Sequence, residues 1–583
     1  MHPIRRPSCP CAAGVLLAIA FTSVAHDPGL ALDVPATPAQ VGADCADHNP
    51  LRNVYFGDLH IHSELSHDAW VFGTLNGPGQ VYAQSADTLD FAAVTDHARY
   101  LAEVSMCKDP GSLAYQHPGC VEYRQGILNP LNLNRICKAS EPAVDPATCD
   151  RVSRKVWRRI KFQADAANDP CEFTTFTAYE YTLGSQFNGG SLHRNVYYVG
   201  DVTPRVAHDS WDYRSREALW SALEAECLDV AGCEVIAIAH NPNQSEGLEF
   251  DSTDLTADVA EQRRRFEPLV EVFQHKGSSE CHPTLADDDS ECAFEQPPVD
   301  RLLPPGTDEV PPGSFVRTAL KDGLALESAL GVNPFQVGFI ASTDSHNGIG
   351  GTTEEALYSG NSGDRDDTPL RRLDGPSAYY NAGGLTGIWA EENTREALFA
   401  SLTQRETFAT SGTRLTVRSF AGESFEEELC GASDLLQQAY ANGVPMGGEL
   451  SELSGAAPAI LLLAEADPAS APIQEVQIVK GWYSGGETHE QVIRLATYAP
   501  GQEVAADCQV WRDPQFDPLA PAFYYPRVFE APTPRWSTLD CAAVNADCDR
   551  PEELPEPFAV CCDGSVPETI RERAWGSPIW YSP

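Results

Sequence analysis

Residues 54–62 read Val-Tyr-Phe-Gly-Asp-Leu-His-Ile-His, so a short apolar run passes directly into a segment with two histidines. An uninterrupted apolar run of this length is typical of a strand that is buried on both faces. Polar residues at the end of such a strand lie at the edge of a sheet. The stretch therefore predicts a buried strand with histidines at its carboxyl end.

The same pattern recurs as far as residue 390. The runs are 54–57, 91–95, 173–179, 195–199, 235–239, 269–273, 337–341 and 384–389. Helix-like segments such as 215–226 and 394–402 lie between them. Alternating strands and helices predict a parallel α/β arrangement, and this number of units favours a barrel over an open sheet.

Two segments and the C-terminal region depart from this pattern. Residues 283–313 and 348–381 lack helix or strand periodicity and are predicted to be long surface insertions. Beyond about residue 411, runs such as 459–464, 476–479 and 492–495 are separated by turns. We therefore predict a barrel domain over 51–410 and a β-rich region over 411–583 packed on it.

The N-terminus has the features of a secretory signal peptide. Arg5 and Arg6 precede an apolar run over 12–21 and the small-x-small site Ser23-Val24-Ala25. We predict a signal peptide over 1–25, a linker over 26–50, and a periplasmic or extracellular location. Elsewhere no run is long enough for a membrane span, so a soluble mature protein is expected.

Charge and cysteine content narrow the possible functions. The 583 residues include 84 Asp plus Glu against 40 Lys plus Arg, a formal charge of -44. This charge repels phosphate backbones and argues against nucleic-acid binding. Cleavage near Ala25 would remove two of the 18 cysteines, and the other 16 are predicted to form disulfides in an oxidising compartment. Close pairs such as Cys137/Cys149, Cys227/Cys233 and Cys281/Cys292 could each close a short loop; zinc–thiolate binding is the alternative.

Histidines and acidic residues follow many of the apolar runs. They are His60, His62, His67, Asp96, His97, Glu180, His193, His240, His275, Asp344 and His346. In a parallel barrel the carboxyl ends of the strands share one face, so these residues would converge there. Imidazoles with a few carboxylates bind Zn, Mn or Fe. Each motif alone could be a surface strand or a turn, but together they predict a metal cluster.

These residues resemble two protein families. Three segments resemble motifs of the polymerase-and-histidinol-phosphatase (PHP) superfamily: Phe56–His62, Ala93–His97 and Ser342–His346. Three others resemble a narrower, secreted bacterial family catalogued as a domain of unknown function: Gly57–Ser63, His275–Glu280 and Ala574–Trp580. The resemblance implies a distorted (β/α)7-type barrel that holds two or three divalent metals (Zn, Mn or Fe), and it usually implies phosphoester hydrolysis.

The resemblance also implies a division of the ligands among the metals. His60 and His62 would share one metal with Asp344 and with Glu180, which bridges to a second metal. His193 and His240 would complete the second site, and His67, His97 and His346 the third. His275 matches no general PHP ligand and is a candidate on the substrate side. Arg194 and Lys276 are candidate phosphate clamps or ordinary surface charges, and Asp58 and Asp96 would orient the imidazoles.

The expected activity is hydrolysis of a small organic phosphate, a monoester or a diester, by a metal-bound hydroxide. The expected partner is thus a phosphorylated small molecule. One alternative is a hydrolase of amides, lactones or sulfoesters on the same barrel. Another is a non-catalytic protein that binds glycan or envelope and holds structural metals.

Overall fold

A computed structural model describes residues 45–184, 190–286, 288–298, 309–451, 453 and 456–583. The predicted signal peptide and most of the predicted linker lie outside the described residues. So do residues 287 and 299–308 of the first predicted insertion.

Strands and helices alternate over the first part of the chain. Their order is β1 (Asn53–Ile61), α1 (His67–Val71), α2 (Pro78–Ser85), β2 (Phe91–Val94), α3 (Leu101–Lys108), α4 (Pro118–Arg124), α5 (Pro130–Cys137), α6 (Pro146–Ala167), β3 (Thr174–Thr175), β4 (Thr177–Tyr181), β5 (Arg194–Tyr198), α7 (Arg216–Leu223), β6 (Val235–Ala239), α8 (Ala257–Phe266), β7 (Leu269–Gln274), β8 (Gly277–Ser278), α9 (Val316–Leu330), β9 (Gly338–Ala341), α10 (Pro369–Arg372), β10 (Leu385–Ala390), α11 (Arg395–Gln404) and β11 (Thr407–Thr410). Every predicted apolar run contains a strand. The two predicted helices begin after Ser215 and Thr394, whose hydroxyls cap them by accepting backbone N–H bonds.

The C-terminal region is rich in β-structure, as predicted. It contains β12 (Thr416–Gly422), α12 (Leu435–Asn442), β13 (Val444–Pro445), β14 (Glu449–Leu450), β15 (Ala459–Glu465), β16 (Ile473–Ser484), β17 (Glu487–Thr497), β18 (Ala506–Arg512), β19 (Ala522–Glu530), β20 (Thr533–Pro534), α13 (Trp536–Ala543), β21 (Thr569–Ile570), β22 (Arg573–Gly576) and β23 (Ile579–Tyr581). Strand β11 pairs with β22, so the sheet that contains β1 continues into this region.

The fold is mixed α/β, and the predicted (β/α)7 barrel is not confirmed. One sheet of the described chain runs β3-β2-β1-β10-β11-β22-β19-β23-β14, and a second runs β4-β5-β6-β7 with β9 beside β7. The described residues contain no hydrogen-bonded ladder that closes these sheets into a barrel. A parallel barrel requires parallel neighbours, whereas the β1–β10, β4–β5 and β5–β6 pairs are antiparallel.

Strands of both sheets nevertheless share one apolar core. Leu59 and Ala93 from the first sheet pack in the same buried cluster as Ile238, Leu269 and Ile340 from the second. Isolated bridges join Ile61 to Ser345 and His97 to Glu180 at the polar ends of these strands. The shared core therefore brings the carboxyl ends of β1, β2, β4, β6, β7 and β9 together.

The sixteen cysteines beyond residue 44 form eight disulfides. The three predicted short-loop pairs are confirmed. Adjacent Cys561 and Cys562 take different partners, Cys541 and Cys548. Eight disulfides are consistent with an oxidising compartment. Among the described helices, none has the length and apolar character needed to cross a membrane.

Because every described cysteine is paired, thiol titration of the unfolded, unreduced protein is expected to find less than about one free thiol per chain. The control is the same sample after reduction and removal of the reductant, which should expose all sixteen. A count near sixteen before reduction would contradict both the pairing and the predicted location.

Candidate metal centre

His60, His62 and Asp344 converge at the carboxyl end of β1. The Nε2 atoms of His60 and His62 lie 3.2 Å apart, and each lies 3.1 Å from Asp344 Oδ1. All three side chains are buried. Ligand atoms that share a tetrahedral zinc ion at about 2.0–2.1 Å lie about 3.3 Å apart. The spacing of these three atoms therefore fits a metal ion.

Glu180 on β4 faces two groups of histidines. Its Oε2 lies 3.5 Å from His60 Nε2 and 3.4 Å from His62 Nε2. Its Oε1 lies 2.8 Å from His193 Nδ1 and 3.7 Å from His240 Nε2. A carboxylate with its two oxygens toward two ligand groups has the geometry of a bridge between two ions.

A third group lies beside the first. His62, His97 and His346 could hold one ion, and so could His67, Asp68 and His97. Asp68 Oδ2 lies 3.1 Å from His97 Nε2 and 3.4 Å from His346 Nε2. Asp68 was not among the residues predicted from the sequence, although its position next to His67 at the start of α1 pointed to it.

His275 lies among the candidate metal ligands and not only on the substrate side. It forms a possible ligand group with Asp344 and His346. Its Nε2 lies 3.5 Å from Asp344 Oδ2, but neither ring nitrogen has a hydrogen-bond partner within the described chain, although the ring is buried. Buried imidazole nitrogens without partners are costly, and a metal would satisfy one of them.

The cluster forms the floor of a cavity of about 900 Å³. Glu180, His193 and Asp344 line this cavity, and Lys276 and Arg365 add positive charge to its lining. The Lys276 ammonium contacts Asp344 Oδ2. Lys276 is thus placed where it could meet a negatively charged substrate beside the histidine cluster.

Comparison with known proteins agrees with the narrower resemblance. The family described as "Protein of unknown function (DUF3604)" matches residues 49–509 and 501–583. The chain belongs to this family.

Outside this family, similarity to known proteins is weak. No curated protein matches it significantly. A crystal structure of a two-domain protein from Bacteroides vulgatus, described as containing a predicted PHP-like metal-dependent phosphoesterase, is similar at 11% identity with a TM-score of 0.31. The match covers 82% of this chain and 91% of that one.

Arg194 does not line the cavity of the DUF3604 protein. It is fully buried, and its guanidinium binds Glu267 at 2.6 Å and Glu249 at 2.8 Å. Strand β5 runs antiparallel to β4 and β6, so His193 stands at its beginning, beside Glu180. Successive side chains of a strand point in opposite directions, so His193 faces the cluster and Arg194 faces away. We therefore exclude Arg194 as a phosphate clamp.

The groups that orient the imidazoles also differ from expectation. Asp58 and Asp96 bind backbone and hydroxyl groups, for example Thr343 Oγ1 at 2.6 Å and Ser63 Oγ at 2.6 Å, and not imidazole nitrogens. The Nδ1 atoms instead meet other partners: Glu271 for His60 at 3.2 Å, Ser66 for His62 at 2.8 Å, Thr182 for His97 at 2.6 Å, and the backbone oxygen of Asp344 for His346 at 2.9 Å. These contacts fix the rings with Nε2 toward the cluster.

The protonation states differ among the proposed ligands. Burial alone would lower the pKa of His60, but the carboxylates of Asp344 and Glu271 outweigh it and raise that pKa to about 10, so a metal would have to displace a proton from this ring. Burial lowers the pKa of His240 and His275 to about 3, so both rings are neutral at pH 7 and keep a lone pair for a metal. Burial alone would raise the pKa of Asp344, but His60 and Lys276 outweigh it and hold that pKa well below its usual range. The pKa of Glu180 is likewise lowered, because His97 and His193 outweigh the effect of burial. Both carboxylates are therefore ionised.

Proposed function

We propose that this protein is a metal-dependent phosphoesterase that acts on a small organic phosphate. The observation that carries the proposal is the position of Glu180, whose two oxygens face two separate histidine groups at the floor of the cavity. The donor set consists of imidazoles and carboxylates, which bind Zn, Mn or Fe. The PHP-like motifs on β1, β2 and after β9 support the same activity.

The ligands of the proposed site divide into three sets. His60, His62 and Asp344 would hold the first ion, and His193 and His240 would hold the second across Glu180. The third would lie among His67, Asp68, His97 and His346, with His275 as an additional ligand near Asp344. When bound, such ions activate a water molecule near neutral pH and neutralise phosphate oxygens as charge develops.

The remaining side chains would bind and orient the substrate. Lys276 can donate to a phosphate oxygen beside Asp344, because its ammonium already lies at that edge of the cavity. Glu271 and Ser66 keep the rings of His60 and His62 in place throughout the reaction. The eight disulfides support a periplasmic or extracellular site of action.

The test is a panel of chromogenic phosphate monoesters, phosphate diesters, sulfate esters and carboxyl esters, assayed with added Mn, Zn or Fe. Turnover of a phosphate ester that is lost on chelation and restored by metal supports the proposal. Turnover confined to sulfate or carboxyl esters would replace it with another hydrolase activity. No turnover, together with unfolding on chelation, would indicate structural metals.

We also predict two or three transition-metal ions per chain, because the overlapping ligand groups offer more donors than one ion can bind. Elemental analysis of metal-loaded, gel-filtered protein tests this number. One equivalent or fewer would contradict a cluster bridged by Glu180, whatever the activity.

A further inference from the structure

The predicted surface insertion 348–381 forms an ordered wall of the cavity. His346 N–H donates to the Asn361 oxygen at 2.6 Å, which ties the insertion directly to the ligand cluster. The backbone N–H groups of Asn361 and Ser362 donate to the buried carboxylate of Asp366 at 2.9 and 2.7 Å. Asp364 N–H donates to the oxygen of Phe72. The backbone on both sides of Arg365 is therefore fixed relative to the cluster.

The side chain of Arg365 is held against an aromatic ring. Its guanidinium carbon lies 3.8 Å from the centroid of Phe72, and the Phe72 ring lies 6.0 Å from the ring of His346. Stacking on an aromatic face leaves the guanidinium N–H groups at its edge free to donate. The distance from the guanidinium carbon to the His346 ring therefore cannot exceed the sum of these two distances. A small organic molecule could span that distance.

Arg365 differs from the other basic side chains of the cavity in having no acidic partner. Lys276 contacts Asp344, and Arg371 donates to Asp367 at 2.8 Å. No carboxylate in the described ranges lies within ion-pair distance of Arg365, which lines the cavity and stacks on Phe72.

The cavity is also lined by acidic residues, so a bound anion would contact one basic side chain and would not be attracted by a uniformly positive surface. Glu246 and Asp374 line the same cavity. An anion would therefore not be drawn to the wall as a whole, but it could pair with the fork of N–H donors that Arg365 presents. The wall thus favours a ligand whose negative group reaches that one point.

We propose that Arg365 is a specificity-determining residue that binds a second anionic group of the substrate. This inference rests on the proposed function, in which the reacting phosphate lies at the ligand cluster. The substrate class is then an organic phosphate that carries a carboxylate or another oxyanion at the far end of a short molecule. Arg365 binds that group bidentately while the phosphate ester occupies the floor of the cavity.

The experiment compares two esters of the same shape, 4-carboxyphenyl phosphate and 4-carbamoylphenyl phosphate, which differ in the charge of the distal group. The ratio of their kcat/KM values is measured in the wild type and in Arg365→Gln, so that the intrinsic reactivity of each ester cancels between proteins. We expect the ratio to shift by about tenfold against the carboxylate, as loss of one charge-assisted bond implies. Arg365→Lys, which keeps the charge but not the fork, should fall between the two.

Arg371→Gln is the matched control, because it removes the same charge from the same wall but from a guanidinium that Asp367 already neutralises. Its ratio should stay within about threefold of the wild type. A ratio that is unchanged in Arg365→Gln, or that shifts equally in both variants, would overturn the assignment.

Failure of the proposed function gives a different result. If metal-loaded wild type hydrolyses no phosphate ester of the panel, the phosphoesterase proposal falls. In that case, or if it hydrolyses neither of the two esters compared here, the subsite is tested by calorimetry with 4-carboxybenzylphosphonate and its carbamoyl analogue. Arg365→Gln should then weaken binding of the carboxylate ligand alone by about tenfold. Equal binding of the two ligands by the wild type, or no binding of either, would overturn the inference.

Discussion

Replacing Asp344 by asparagine is expected to lower kcat for phosphate esters by about a thousandfold and to reduce the metal content by at least one equivalent. Asp344 Oδ1 lies 3.1 Å from both His60 Nε2 and His62 Nε2, and Oδ2 faces Lys276 and His275. Asparagine removes the negative charge that all four groups share. One of the two side-chain oxygens also becomes an NH2 group. In either orientation of the amide, this group would face the metal or the Lys276 ammonium, and it can accept from neither.

The matched control is Asp374→Asn, which changes an exposed carboxylate of the same cavity wall. Its kcat and metal content should remain within about twofold of the wild type. Circular dichroism and thermal unfolding of both variants separate loss of the site from loss of the fold. Wild-type kcat in Asp344→Asn at saturating metal would show that Asp344 does not belong to the centre.

The strand ends could be predicted because burial leaves a strong signal in the sequence. All eight apolar runs contain strands, and the polar residues after six of them, those in β1, β2, β4, β6, β7 and β9, lie close together. The direction of β5 could not be predicted, since a buried five-residue strand reads alike in either direction. The exclusion of Arg194 follows from that direction and from the alternation of side chains along a strand.

Other features depended on contacts between distant segments. The ordered wall over 348–381 is held by Asp366 and by the backbone of Phe72, and neither contact produces a periodic pattern. Glu271 was more accessible to prediction. It interrupts the apolar run of β7, and a buried carboxylate requires a partner, which the structure shows to be His60.

A second buried network joins two of the three narrower-family motifs. Glu280 ends the segment that begins with His275, and Trp575 lies in the terminal segment Ala574–Trp580. The indole Nε1 of Trp575 donates to Glu280 Oε2 at 2.7 Å. Glu280 also accepts bonds from Arg317 at 2.6 Å, Tyr525 at 2.7 Å and Arg527 at 3.2 Å. One carboxylate thus links the cavity segment to α9, β19 and β22.

Replacing Glu280 by glutamine is expected to lower the free energy of unfolding by about 3–5 kcal/mol, the usual cost of removing one partner from a buried ion pair. The side chain keeps its shape, but Arg317 and Arg527 lose a carboxylate in a region without solvent. Both retain Asp289, and Arg317 also retains Glu490 at 3.6 Å. Urea unfolding at pH 7.5 measures the loss. Glu553→Gln, which breaks an exposed pair with Arg550, is the control and should cost less than about 1 kcal/mol.

The pH dependence of this loss identifies its cause. Burial alone would raise the pKa of Glu280, but Arg527 and Arg317 outweigh burial and hold that pKa at about 2. Because the folded pKa lies below the ordinary value of about 4.3, the charge contributes its full stabilisation above that value. The contribution disappears as the pH falls toward 2. The difference between the wild type and Glu280→Gln should therefore be constant from about pH 5 to 8 and shrink progressively below about pH 4. A difference that is equally large at pH 3 would assign the loss to packing and not to the charge of Glu280.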